Sequence, residues 1–277
     1  MPTERIWIDL PGARLAAEVH GSNTAPPVVL VHSAVVNRRA WDGVVPHLVD
    51  AGYRVITYDM RGFGESTSDK VEFRGHEDLL GVMNHFGLGR VAVAGNSKGA
   101  HFALDAVLAA PDRFVAFTWI GGGISGFDKD DEPHETALFE AEGAAEEAGD
   151  WDLAAELDTQ IWMDGPGQPA TRVDPAVRAA FTAMDRELLE PGREYGDRMP
   201  AETNAIGQLG SVRVPTLVVV GEFDTSGTRA AAEQLAADVP GARLVTVPNA
   251  AHIVGMEVPD ELAALIVELL APLPRWG

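Results

Sequence analysis

The sequence predicts an α/β protein: a mostly parallel central sheet flanked by helices and interrupted by an inserted helical segment. Three observations predict it. Six short runs rich in Val, Ile and Leu, at 27–32, 53–59, 91–95, 114–120, 216–221 and 242–247, are bounded by turn residues and read as strands buried on both faces. Stretches of helical spacing at 75–86, 100–110, 228–237 and 260–270 separate or follow most of them, and such alternation implies parallel pairing with helices on both faces. Between Ile120 and Val214 the alternation stops, no strand-like run occurs, and at least three helical patterns appear.

Each element has a local cause. RIWIDL and ARLAAEVHG, separated by Pro11 and Gly12, read as a hairpin at the sheet edge. The run PPVVLV ends in His32, Ser33 and Ala34; VAVA ends in Gly95, Asn96, Ser97, Lys98 and Gly99, then a helical run. In the insertion, Asp174 before Pro175 is a helix start: the Asp oxygen accepts an orphan amide, and Pro fits the first helical position without losing a bond. Asp150 opens the helix before it. TLVVV leads into Gly221, Glu222, Phe223 and Asp224, and RLVTV into Pro248, Asn249, Ala250, Ala251 and His252. The boundaries are a core of 1–124 with 206–277 and an insertion of 125–205.

Composition narrows the chemistry. With 46% hydrophobic and 23% charged residues in 277, the chain is that of a globular domain able to bury a large core without staples. A net charge of −21 repels phosphate backbones and anionic lipid, so neither nucleic acid nor a membrane is an expected partner. From 125 to 202 there are 21 acidic against 6 basic side chains, which a solvated helical face explains as well as a functional one. Cysteine is absent, which excludes disulfides and thiolate chemistry. MPTERIWIDL has no basic segment followed by an apolar one, so no secretory signal is expected. LAALIVELLAPL is broken by Glu268 and falls short of the about 20 residues that cross a bilayer, so a cytoplasmic protein is expected.

The GNSKG run is GxSxG between a buried strand and a helix. Ser97 must occupy a strained turn for its hydroxyl to project beyond the sheet, and side chains at 95 and 99 would collide there. A serine hydroxyl needs a base to take its proton, and the base needs an orienting carboxylate. Asp224 and His252, 28 residues apart, end consecutive strands on the same sheet edge. Alone, Asp224 could be a turn acid or helix cap and His252 a structural histidine; Glu222 is the rival acid, within the strand end. A developing oxyanion needs two donors, expected at the backbone N–H groups of Lys98 and Ala34. His32 either holds its loop by hydrogen bonds or contacts substrate.

VHSAV (31–35), DMRGFGES (59–66), GNSKG (95–99), GEFD (221–224) and HIVGMEVP (252–259) together resemble the ordered landmarks of the α/β-hydrolase superfamily. The resemblance implies Ser97, Asp224 and His252 as nucleophile, acid and base, and the insertion as a cap over the acyl pocket. It implies structural roles for Asp59, Arg61, Gly62, Gly64 and Ser66, and Glu257 and Pro259 match the pattern after the histidine. Phe139, Leu153, Leu157, Ile161, Trp162, Met163, Phe181 and Met184 could form an apolar ceiling, or the cap's own core. Serine at 97 argues against the aspartate-nucleophile branches, the haloalkane dehalogenases and epoxide hydrolases. The chain departs from relatives at Ser33, where glycine is common, and at Lys98, usually uncharged. An ammonium facing the pocket must be paired, either by a cap carboxylate or Glu222, or by a substrate carboxylate.

The expected activity is that of a serine hydrolase of carboxylic esters or lactones acting on a small molecule. The alternatives are a carbon-carbon bond or enol-lactone hydrolase of the same fold, and a ligand-binding receptor of hydrolase descent. No cofactor is inferred: the GFG at 62–64 does not complete a dinucleotide fingerprint and no phosphate-binding GxxxxGK[ST] occurs. No metal is expected either, since the other histidines show no ligand spacing.

Overall fold

The computed structural model of the chain describes residues 4–202 and 204–277. Its strands are β1 (Glu4–Leu10), β2 (Ala13–His20), β3 (Pro27–Val31), β4 (Arg54–Tyr58), β5 (Thr67–Ser68), β6 (Glu72–Phe73), β7 (Val91–Asn96), β8 (Phe114–Ile120), β9 (Asp197–Arg198), β10 (Thr216–Gly221) and β11 (Arg243–Val247). The main sheet runs β1-β2-β4-β3-β7-β8-β10-β11, with β5 on β2. From β4 to β11 every pairing is parallel, while β1 and β2 form the antiparallel edge hairpin. The six runs and the hairpin read from the sequence all become strands, shifted by a residue or two at their ends. The run at 242–247 is expected to be buried on both faces, but β11 is instead a largely exposed strand at the sheet edge, with only Val247 buried.

The helices are α1 (Val45–Asp50), α2 (Gly75–His85), α3 (Lys98–Ala109), α4 (Pro133–Ala148), α5 (Trp151–Asp158), α6 (Pro175–Leu188), α7 (Ser226–Asp238), α8 (Val254–Glu257) and α9 (Pro259–Leu270). Successive strand residues point to opposite faces, so β3 feeds two cores. Val29 and Val31 pack with Leu79 and Met83 of α2, Phe102 of α3 and Leu235 of α7. Val28 and Leu30 pack with Leu48 of α1 and Leu262 and Ile266 of α9. Burial on both faces is why these strands carry continuous apolar runs. Among the described residues no helix is long and apolar enough to cross a membrane.

Helices α4, α5 and α6 occupy the stretch where alternation stops. Asp150 Oδ1 accepts from Leu153 N–H at 3.2 Å, and Asp174 Oδ1 accepts from Ala176 N–H at 2.8 Å and Val177 N–H at 3.4 Å. We expect Asp174→Ala to cost about 1 kcal/mol and to lower the thermal midpoint by about 2–4 °C, read by calorimetry. An unmoved midpoint would mean that Pro175 alone sets the helix start. One expectation is corrected here: the insertion does hold a strand, β9, which pairs with β6 through two residues. A pair that short leaves no periodicity in the sequence.

The DMRGFGES stretch is structural. Asp59, fully buried, accepts from the N–H groups of Arg38 and Glu65 at 2.8 and 2.9 Å and pairs with the Arg38 guanidinium. A Cβ on Gly64, where φ is +51°, would lie 2.3 Å from Asp59 Oδ2. Ser66 Oγ donates to the Asp59 carbonyl at 2.8 Å and accepts from Ala16 N–H at 2.9 Å, tying the loop to β2.

Candidate active site

Ser97 sits between β7 and α3 with φ 55° and ψ −117°. A non-glycine residue there is strained by about 1–3 kcal/mol. The surroundings hold it: Ser97 N–H donates to the Ile120 carbonyl at 2.9 Å, and its own carbonyl accepts from His101 N–H at 3.0 Å. The flanking glycines are obligatory. A Cβ on Gly95 would lie 2.4 Å from the Gly99 carbonyl oxygen, and one on Gly99 would lie 2.3 Å from that of Val31.

Asp224 follows β10 and His252 follows β11, which are adjacent and in register, so both side chains emerge at one sheet edge. His252 Nδ1 lies 2.9 and 3.0 Å from Asp224 Oδ1 and Oδ2, with both residues buried. Asp224 Oδ1 also accepts from Thr225 N–H at 2.8 Å. The pair rests on Gly121, where a Cβ would stand 2.9 Å from Asp224 Oδ2. Asn96 links the two parts of the site, its amide donating to the carbonyls of Ile120 and His252, each at 3.1 Å. Ser97 and His252 line one cavity of about 330 Å³ with Phe139 and Trp162. The rival Glu222 faces solvent and accepts from Asn249 N–H at 2.9 Å.

Ala34, on the loop after β3, and Lys98, at the start of α3, line a second cavity of about 630 Å³. Lys98 is the first residue of α3, so its N–H has no intrahelical acceptor. Of the two readings of His32, its surroundings fit the one in which it holds its loop by hydrogen bonds. It is fully buried, with Nδ1 2.7 Å from the Ser33 carbonyl and Nε2 accepting from Met60 N–H at 2.8 Å. Both nitrogens are spent on backbone, so the ring ties two loops together. Nε2 is an acceptor, which makes Nδ1 the protonated donor, and burial pushes the ring's pKa down to about 4, keeping it neutral.

The ceiling residues divide. Phe139 and Trp162 line the Ser97 cavity, whereas Ile161, Met163, Phe181 and Met184 are buried core and Leu153 is exposed. Trp162 lies in a π-helical turn, Thr159–Asp164, a geometry that interrupts regular helices at functional places. Its ring centroid is 4.6 Å from that of His252, and its carbonyl accepts from His252 N–H at 3.2 Å. Trp162 Nε1 donates to Asp158 Oδ1 at 2.8 Å. Burial pushes the carboxyls of both Asp158 and Asp185 up, with the charge of Glu146 adding to the rise at Asp158 and that of Asp158 to the rise at Asp185. Arg172 straps this segment to the histidine loop: its guanidinium donates to the carbonyls of Asp164, Met163 and Asn249 and to Glu257, which in turn accepts from Ala251 N–H. The partners come from two stretches far apart in sequence, Met163 and Asp164 in one and Asn249, Ala251 and Glu257 in the other, so no local signal marks the strap.

Lys98 corrects an expectation. No cap carboxylate and no Glu222 pairs with it among the described residues. Its Nζ lies over the Phe63 ring, 5.2 Å from the centroid, away from the His252 cavity. Burial, together with the charge of Arg198, pushes its pKa down to about 8.

A family model described as alpha/beta hydrolase fold matches residues 26–259. Strigolactone esterase D14 of Arabidopsis thaliana is 28% identical over 257 residues, 89% of this chain and 91% of its own length. Rhodomycin D methylesterase DnrP of Streptomyces peucetius is 27% identical over 301 residues, covering 96% and 97%. Among solved structures, a thermophilic esterase from Thermogutta terrifontis superposes with a TM-score of 0.75 at 26% identity, covering 97% of this chain and 98% of that one.

Proposed function

The chain belongs to the alpha/beta hydrolase family, and from that premise we propose that it is a serine hydrolase cleaving a carboxylic ester or lactone through an acyl-enzyme. The observation that carries the reading is the buried Asp224–His252 hydrogen bond, with His252 lining the same cavity as Ser97. Asp224 accepts from Nδ1–H, which leaves the Nε2 lone pair free to act as base. His252 takes the Ser97 proton as Oγ attacks the carbonyl carbon. The charge that develops on oxygen meets the N–H groups of Ala34 and Lys98, each worth about 3 kcal/mol in such a site. The imidazolium then protonates the leaving alkoxide, and water repeats the sequence on the acyl-serine.

The esterase relatives support the ester reading, and enol-lactonase and dienedioate-hydrolase relatives of similar identity keep lactone and carbon-carbon cleavage as its rivals. Labelling with an alkyl fluorophosphonate tests the proposal directly. Intact mass should show one adduct per chain, mapped by peptide sequencing to Ser97 and lost in Ser97→Ala. An unlabelled protein, or a label elsewhere, overturns the nucleophile assignment.

A further inference from the structure

The proposed reaction uses the Lys98 N–H and leaves the ammonium without a task. That side chain passes over Phe63 into a compact cavity of about 80 Å³ walled by Phe63, Phe73, Phe102 and Tyr195. Arg198, its guanidinium 6.0 Å from the Phe102 ring centroid, lines the same cavity from β9. The remaining charged residues there, Arg61 and Asp78, neutralise each other through hydrogen bonds of 2.9 and 2.8 Å. Two cations therefore line one small, aromatic-walled space, and among the described residues no carboxylate forms an ion pair with either, Asp105 being close enough to Arg198 only to feel its charge. Lys98 is partly buried and Arg198 reaches the space from the exposed strand β9, and the two like charges repel, a cost that an anion between them removes.

From this juxtaposition we infer that the cavity seats a carboxylate carried by the acyl part of the substrate, held between Lys98 and Arg198. The inference rests on the serine-hydrolase reading for its direction. If the carbonyl oxygen lies at the Ala34 and Lys98 N–H groups, the acyl chain follows the four-carbon stem of Lys98, which matches the acyl length of a short dicarboxylic half-ester or its lactone. The larger cavity on the other side of Phe63, Lys98 and Tyr195 is lined by Glu146, Asp158 and Asp185. An anionic group is repelled there, so the charged acyl end and an uncharged leaving alcohol are sorted to opposite sides.

The test compares monophenyl glutarate with phenyl butyrate as a ratio of kcat/KM in the wild type, Lys98→Met, Lys98→Arg and Arg198→Gln. The ratio should fall at least tenfold in Lys98→Met and Arg198→Gln and be largely kept in Lys98→Arg. A ratio unchanged within twofold overturns the carboxylate seat. Binding of glutarate to the Ser97→Ala protein, measured by calorimetry, separates this inference from the reading beneath it. Esters turned over without a change in ratio, and no glutarate bound, remove the seat and leave the hydrolase. Glutarate bound by Ser97→Ala and lost in Arg198→Gln, with no ester turned over by the wild type, keeps the seat and removes the hydrolase.

Discussion

Asp224→Asn is expected to lower kcat for a phenyl ester by roughly four orders of magnitude with little change in thermal midpoint. The cause is the tautomer of His252. Asp224 Oδ1 accepts from Thr225 N–H, and in the variant that donor keeps the amide oxygen at the Oδ1 position, which puts the amide nitrogen at the Oδ2 position, 3.0 Å from Nδ1, and removes the negative charge that held Nδ1–H. Facing a donor, Nδ1 becomes the acceptor, the ring proton moves to Nε2, and the atom that must take the Ser97 proton already carries one. Shape and volume are kept, so a loss under tenfold would show that Asp224 does not set the protonation of the ring.

Gly99→Ala should be the most destabilising small substitution in the site. Its Cβ would lie 2.3 Å from the Val31 carbonyl oxygen and 2.6 Å from that of His32, both backbone atoms at the end of the central strand β3. Neither can swing aside as a side chain would, so β3 and α3 must separate. We expect a loss of about 3 kcal/mol or more and a fall in midpoint of about 6–12 °C. Gly143→Ala, in open space within α4, is the control and should gain about 0.5–1 kcal/mol from helix propensity. Equal midpoints for the two variants would show that the close approach at Gly99 is not what demands glycine.

Much of the architecture was legible because its causes are local. A strand buried on both faces must be apolar along its length, so β3, β7, β8 and β10 announce themselves. Asp174 and Pro175 mark a helix start by chemistry confined to a few residues. The strained turn at Ser97 demands glycine on either side, which is why GNSKG stands out. The unread features depend on partners brought together by folding. The sequence leaves His32 open between loop tie and substrate contact, and only folding puts Met60 N–H and the Ser33 carbonyl on its two nitrogens. Lys98 was expected to meet a carboxylate, and only the packing of Phe63 and Tyr195 turns it toward Arg198. Trp162 and Phe139 were indistinguishable from Met163 and Phe181 by helical spacing, because the π-turn that rotates Trp162 toward His252 has no period of its own.

The strap formed by Arg172 limits how the helical roof can breathe. One guanidinium binds carbonyls of the Thr159–Asp164 turn, the Asn249 carbonyl and Glu257, so the roof and the histidine loop are joined where they meet. Lifting the roof at that end would drag the imidazole off its carboxylate. Trp151 and Leu189, which line the wider cavity, take no part in the strap, so the roof is tied at the histidine loop and not there.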